Sequence, residues 1–433
     1  MLRLASMKIF AAAIIFFGVT LPVSPQDLIS ESEEQYSRSQ AARGEAIAAF
    51  RAGEFATALD GMKRALAERP TNIALLNNAL FLAAEAEQTN DVVEFANRFI
   101  ALDLIPGELF KAKMQGKLPA KVWSGFNEKF NQVSQPQGSA DTLFSIPTDH
   151  RLVEGIATDN NGSYFLSTVV SGTILRSSPG QEISILVDGA DHAAGSFFGI
   201  AYSPRENALY ATYGRVDQTP NMPKGEGLTG VMRINPVTGD ITGDWSLPGG
   251  TENQQIADIA ISPTGTVYLS EAQSGGIYRI TGDMLEKLDT KKRFRSPQGM
   301  AFLGNNLLMA DYGRGLWRIN TGTSEATLLS LPSSVSLIGI DGLFAHKGKL
   351  IAIQNGTSPH RIIEIELDES LDTVAGLKVL AKNLAGFDEP TLGTSTPDGL
   401  VFVASSQWPK YAPEGLVREG QAVEPTAIMI LKD

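Results

Sequence analysis

The chain has no cysteine and only 4 histidines in 433 residues. The first absence excludes a disulfide framework and lipid attachment through an N-terminal cysteine. Together the two argue against zinc or copper, whose sites draw on thiolates and imidazoles. Positive charge is also scarce, with 36 Lys and Arg against 48 Asp and Glu and a net charge of −12. Nucleic acid needs clustered cations, so it is excluded as a partner. The one basic run, Lys291-Lys292-Arg293-Phe294-Arg295, is short and reads as a solvated loop. There is no Ser-His-Asp spacing, no glycine loop opening a helix to cradle phosphate and no paired-histidine motif, which removes the common hydrolase and nucleotide schemes. His150, His192 and His346 stand alone.

Long hydrophobic runs are missing too. Arg3 and Lys8 precede an apolar run from Ile9 to Val19, and a polar stretch begins at Gln26. That is the layout of a secretory signal, and the run is short for a spanning helix. Residues 1–25 are therefore expected to be a signal peptide or an N-terminal anchor, and the protein to be exported, periplasmic or secreted. Pro22 and Pro25 crowd the obvious cleavage positions and leave Gly18-Val19-Thr20 as the best site. If the segment stays uncleaved, it is the only expected membrane contact.

What is present divides at about residue 140. Residues 27–135 are rich in Ala, Glu, Leu and Lys, poor in Gly, and apolar at helical spacing. Gly53 turns the chain between two helices, small residues at Ala58 and Ala65 allow close packing, and Pro70 stops the second helix. Gly53, Phe55, Ala58, Leu59, Ala65, Leu66 and Pro70 stand at the offsets of the tetratricopeptide repeat, which this stretch resembles. Asn72 to Pro106 is similar to a more divergent second copy. The resemblance implies either a protein partner held in a groove or a unit that packs on, or spaces, the rest of the chain.

Residues 140–433 hold most of the 42 Gly and 22 Pro and repeat a unit of about 40 to 55 residues. Each copy opens with a short apolar strand: at Glu154-Gly155-Ile156-Ala157, Phe198-Gly199-Ile200-Ala201, Ala257-Asp258-Ile259-Ala260, Gln298-Gly299-Met300-Ala301, Asp341-Gly342-Leu343-Phe344 and, more loosely, Thr391-Leu392-Gly393. A second strand follows, as in Tyr164-Phe165-Leu166 and Leu307-Leu308-Met309, then in most copies a third, as in Gly315-Leu316-Trp317-Arg318-Ile319. Six such copies predict a mainly β fold, a six-bladed β-propeller preceded by a small all-α helical domain.

First strands line a propeller's axis, so equivalent positions converge there. The convergent set is Glu154, Phe198, Ala257, Gln298, Asp341 and Thr391. Two carboxylates and an amide oxygen suit a hard divalent cation such as calcium. Against this stands ordinary turn chemistry, since Glu-Gly and Asp-Gly are also turn signals. Asp258 is expected on the opposite strand face in a structural role, and Asp159 and Asp311 at turns or strand ends. Asn355 and Glu389 lie on loops near the same face and join Phe198, Ala257 and Thr391 as substrate-channel candidates.

From Leu143 onward the chain resembles the calcium-dependent propeller lactonases of the gluconolactonase and regucalcin family. The family's first-blade Glu-Gly and fifth-blade Asp-Gly pairs match Glu154 and Asp341. Gln298 takes the place of a fourth-blade Asn, and Ala257 that of a substrate-contacting third-blade Asn. The resemblance implies calcium held by Glu154, Gln298 and Asp341, Asp341 as general base, and a small-molecule lactone or ester as substrate. The departures at Ala257 and Gln298 keep a second reading open, a non-catalytic envelope binding or scaffold protein with a degenerate site.

Overall fold

The computed structural model describes residues 28–432 apart from 160, 179, 222–228 and 248–253. The expected signal over 1–25 lies outside the described residues. Six helices come first: α1 (Glu33–Arg51), α2 (Phe55–Glu68), α3 (Ile73–Glu85), α4 (Thr89–Ala101), α5 (Glu108–Lys117) and α6 (Ala120–Val133). Ser32 opens α1 with a reciprocal cap, its hydroxyl accepting from Gln35 N at 3.1 Å while the Gln35 side chain accepts from Ser32 N at 2.8 Å. Asn72 caps α3 with a single bond, its side-chain oxygen accepting from Leu75 N at 3.0 Å. Ala42, Ala46, Ala58 and Ala65 are buried where α1 crosses α2, and a Cβ on Gly61 would sit 3.1 Å from that of Ala46. Small residues thus set the first pair's spacing. The sequence did not signal the third pair, α5 and α6, as a repeat.

Among the described residues, 24 strands form six four-stranded antiparallel sheets arranged as a six-bladed propeller. The innermost strands are, in order, Val153–Thr158, Ser196–Ser203, Ile256–Ile261, Pro297–Leu303, Gly342–His346 and Gly393–Thr396. Blades 1 to 5 are each continuous in sequence. Blade 6 takes its outer strand from the propeller's own beginning, where Asp141–Ile146 pairs with Thr426–Lys432 and Phe144 faces Ile428. That exchange closes the ring with backbone hydrogen bonds and leaves no open edge between first and last blades.

The X-Gly pairs are not turns. The inner strands of blades 1 to 4 carry a register shift, at Val153/Ile156, Phe197/Ile200, Ile256/Asp258 and Pro297/Met300. The glycines stand where the next blade's backbone passes closest: a Cβ on Gly155 would lie 2.7 Å from Phe198 O, and one on Gly299 would lie 2.5 Å from Asp341 O. The glycine permits the close approach, and the preceding residue is the one placed near the axis. The same shift overturns strict alternation at Asp258, which lines the axial channel instead of the opposite face. Its role there is still structural, since its carboxylate accepts from Met300 N of blade 4 at 3.0 Å.

The helices share their core with the propeller, taking in Ile338. Arg69 donates to Gly313 O at 2.6 Å, Ser336 donates to Thr71 O at 2.7 Å, and Lys382 grips both oxygens of Asp103 at 2.9 and 2.7 Å. Leu28–Ile29 pairs with Leu331–Pro332, and the fully buried Arg314 meets Glu31 at 2.7 Å and Glu33 at 3.0 Å. Several of these contacts fall on the turn after the second strand of blade 4 or on the connection into blade 5. In an up-and-down blade those loops share one face, and the helices stand on that face.

Candidate functional site

On the face that carries the helices, the axis gathers acids from three blades. Glu154 comes from the bulge of blade 1 and is 9% exposed. Its Oε2 accepts from Trp408 Nε1 at 2.6 Å. Asp341 ends the connection into blade 5, and its Oδ2 accepts from Asn355 Nδ2 at 2.7 Å. Tyr312 in turn donates to Asn355 Oδ1 at 3.2 Å, which fixes which way the amide points. Glu389 precedes blade 6 at a left-handed φ of 63°, a conformation that costs a non-glycine residue energy. Ser406 Oγ holds its carbonyl at 2.8 Å, while its Oε2 is buried with no hydrogen-bond partner.

Burial and like charge act together on these groups. Glu154 is pushed well above the usual carboxylate range, first by burial and then by the charge of Asp341, with Trp408 pulling it back. Burial raises Asp341 to about 6 against the opposing hydrogen bond from Asn355. Glu389 rises to about 7 through burial and the charges of Asp341 and Asp388. Asp258, deeper along the axis, is raised to about 7 by burial, with N–H donors from Ile259 and Met300 opposing. The same acids and burial raise the Tyr312 phenol, so it is a donor at neutral pH. Below them runs a channel of ≈ 350 Å³ walled by the inner strands of all six blades, with Ile156, Ile200, Met300 and Leu343 among its apolar residues.

The other expected residues are placed as follows. Gln298 is half-buried and donates its amide to Ser296 Oγ at 3.1 Å, leaving its carbonyl oxygen uncommitted. Thr391 is buried and donates to Glu154 O at 2.7 Å, a strut between blades 6 and 1. Ala257 sits in the blade 3 bulge and brings no polar atom. Phe198 is 2% exposed and packs with Leu152, Val169, Val170 and Tyr411, under the loop after the second strand of blade 6. It is a core residue, not an open wall of the channel. Asp159 and Asp311 cap turns as expected, Asp159 accepting from Asn161 N at 2.8 Å and Ser163 N at 3.0 Å.

Sequence reasoning missed Trp408 and Tyr312. Trp408 lies in a 3₁₀ turn, Trp408–Lys410, far from any repeat position, and Tyr312 follows a residue read only as a strand end. Among the described residues, no group of three or more His, Asp or Glu side chains is ready-made for a metal. The nearby donors are nonetheless all oxygens: the carboxylates of Glu154 and Asp341, the free carbonyl of Gln298 and the orphaned Oε2 of Glu389. That donor chemistry fits a hard cation, and a positive charge would offset the burial that raises these acids and the repulsion added at Glu154 and Glu389.

Fold and site define a six-bladed propeller with a buried acidic centre at one end of its axis. It is similar in fold to the PQQ-bound aldose sugar dehydrogenase of Streptomyces coelicolor, at 15% identity and a TM-score of 0.46 over 68% of this chain and 98% of that one. A gluconolactonase-family structure matches at 14% identity and a TM-score of 0.46 over 69% and 92%. Virginiamycin B lyase from Staphylococcus aureus, in a catalytically inactive form with quinupristin, matches at 13% identity and 0.42 over 69% and 100%. No family model and no curated protein matches the chain. These likenesses concern the fold alone.

Proposed function

We propose that the protein is an exported, calcium-dependent hydrolase of a lactone or related ester, with Asp341 as general base. One observation carries the reading: Glu154 and Asp341, from the blades on either side of blade 6, share one buried centre, and Asp341 is held near 6. A base with that affinity is deprotonated at neutral pH yet still takes a proton from water. Asn355, locked by Tyr312, occupies Oδ2 and leaves Oδ1 without a hydrogen bond, aimed by a fixed amide. That oxygen takes the proton as water adds to the acyl carbon. The ring C–O bond then breaks, and the proton passes to the leaving alkoxide to give a hydroxy acid, which releases its carboxyl proton to solvent. A divalent cation held by Glu154, Gln298 and Asp341 supplies the positive charge that polarises the carbonyl.

The competing reading is a non-catalytic envelope binding protein whose propeller site has degenerated and whose helices, read as tetratricopeptide repeats, hold a protein partner. Ala257, which brings nothing to the axis, favours it. Calorimetric titration of metal-stripped protein with calcium decides between them. Binding by the wild type that is lost in both Asp341→Ala and Glu154→Ala supports the hydrolase. Asp341→Asn should then lower lactone hydrolysis about 100- to 10,000-fold while leaving the fold intact. A wild type that binds no calcium removes the electrophile and leaves the binding protein.

A further inference from the structure

Between the helices and the propeller lies a cavity of ≈ 250 Å³, walled on one side by α1 and α3 and on the other by the loops of blades 4 and 5. It adjoins the axial centre. Tyr312 lines it and holds Asn355, which holds Asp341, and Gly339, two residues before Asp341, lines it as well. Three arginines line this space. Arg69 is already committed, to Glu31 at 2.5 Å and Gly313 O at 2.6 Å. Arg43, half-buried on α1, and Arg295, from the loop before blade 4, have no hydrogen bond or ion pair from their side chains to any described residue. Both also line the neighbouring cavity of ≈ 550 Å³, where Lys287 and Lys292 add positive charge.

Unpaired arginines are unexpected in a chain of net charge −12, and here two converge from different parts of the chain on one cavity. A second observation is independent of charge. Asn77 Oδ1, on α3 in the same cavity, is buried without a donor. A buried acceptor left unmade is costly, and turning the Asn77 amide toward the cavity would let a ligand hydroxyl satisfy it. The forked guanidinium groups suit a carboxylate or phosphate.

We infer that the helical domain is a wall of the ligand site, and that this cavity holds the anionic, hydroxylated end of the substrate, making the preferred substrate an acidic sugar lactone. The word substrate rests on the hydrolase reading above; the binding of a hydroxylated anion does not. The concave side of the helices is thereby turned toward the propeller's ligand, not toward a protein partner. The basic run that reads as a solvated loop supplies Arg295 to this wall.

The test measures D-glucaro-1,4-lactone beside neutral D-glucono-1,5-lactone, and D-glucarate binding by calorimetry. The wild type is expected to favour the acidic lactone through KM. Arg43→Gln and Arg295→Gln should each raise that KM about tenfold or more, with the neutral lactone unchanged. Equal handling of the two lactones, or variants that match the wild type, overturns the inference and leaves the hydrolase reading standing. If neither lactone is hydrolysed, that reading fails alone, and glucarate binding decides the inference. Binding weakened about tenfold by either substitution supports it, and no binding by the wild type overturns it.

Discussion

At the turn after the second strand of blade 4, Asp311 is fully buried and accepts four backbone N–H groups: Arg295 at 2.5 Å, Ser296 at 3.2 Å, Gly313 at 2.9 Å and Arg314 at 3.1 Å. Glu271 stands at the same place in blade 3 and accepts from Gln255, Gln273 and Ser274. At the axis, Glu154 and Asp341 accept one side-chain donor each, and Glu389 Oε2 accepts none. All are buried acids, but the turn acids replace water with backbone donors and the axial acids do not. Burial still holds Asp311 above the usual carboxylate range, with the N–H groups and Arg314 pulling it back. The turn carboxylates tie segments together. The axial ones retain capacity for a proton, a cation or a substrate.

The sharpest way to break this comparison is Asp311→Ala. It strands four backbone donors and removes the acceptor that orders the turn holding Arg314, the anchor of the chain's first described segment. Unsatisfied buried groups cost about 1–3 kcal/mol each, and partial relaxation leaves an expected loss of about 4 kcal/mol. Denaturant titration reads it directly. A loss below about 1 kcal/mol would mean that the turn acids are dispensable.

Removing an axial acid should do the reverse. The Glu389 carboxyl, raised to about 7, favours the folded state while protonated. That stability is fully present below the unfolded value and is lost as pH rises through about 7. Without divalent cations, wild-type thermal stability should therefore fall between pH 5 and pH 8. Glu389→Gln, which cannot ionise, should gain on the order of 2 kcal/mol at pH 8 and little at pH 5. An equal gain at both values would assign the effect to new hydrogen bonds from the amide instead of charge. Added calcium should shrink the gain at pH 8, because a bound cation stabilises the ionised wild type.

The two regions also differ in how openly the sequence declares them. The blades were readable because strand pairs recur with similar apolar spacing, and the same alignment brought Glu154 and Asp341 to one level. Glu389 and Asn355 were found only as polar loop residues near that face. Trp408 and Tyr312 were not found at all, since loop geometry has no period. Strict alternation puts Asp258 on the wrong strand face, because the bulge at Ile256/Asp258 adds a residue that alternation does not count. The strand Asp141–Ile146 gave no sign of closing the ring, as its partner lies at the far end of the chain. Phe198 reads as a channel wall from its register, but a loop long in sequence folds over and buries it. The facing of α1 and α3 toward the propeller was likewise invisible, because packing between domains leaves no local pattern.

The smallest expected effect tests the border between the two regions. Thr391 lies at the axial level by register but spends its hydroxyl on Glu154 O at 2.7 Å, joining the last blade to the first. By its bonding it belongs with the turn acids, as a satisfied group that ties segments together. Thr391→Val keeps the shape and removes one donor, so it should cost about 1 kcal/mol in denaturant titration. KM for a lactone substrate should stay within about twofold, since a hydroxyl already committed to the backbone has nothing left to offer a ligand. A KM raised tenfold with unchanged stability would place Thr391 among the ligand-facing groups and show that position along the axis outweighs hydrogen-bond satisfaction in deciding which residues serve the site.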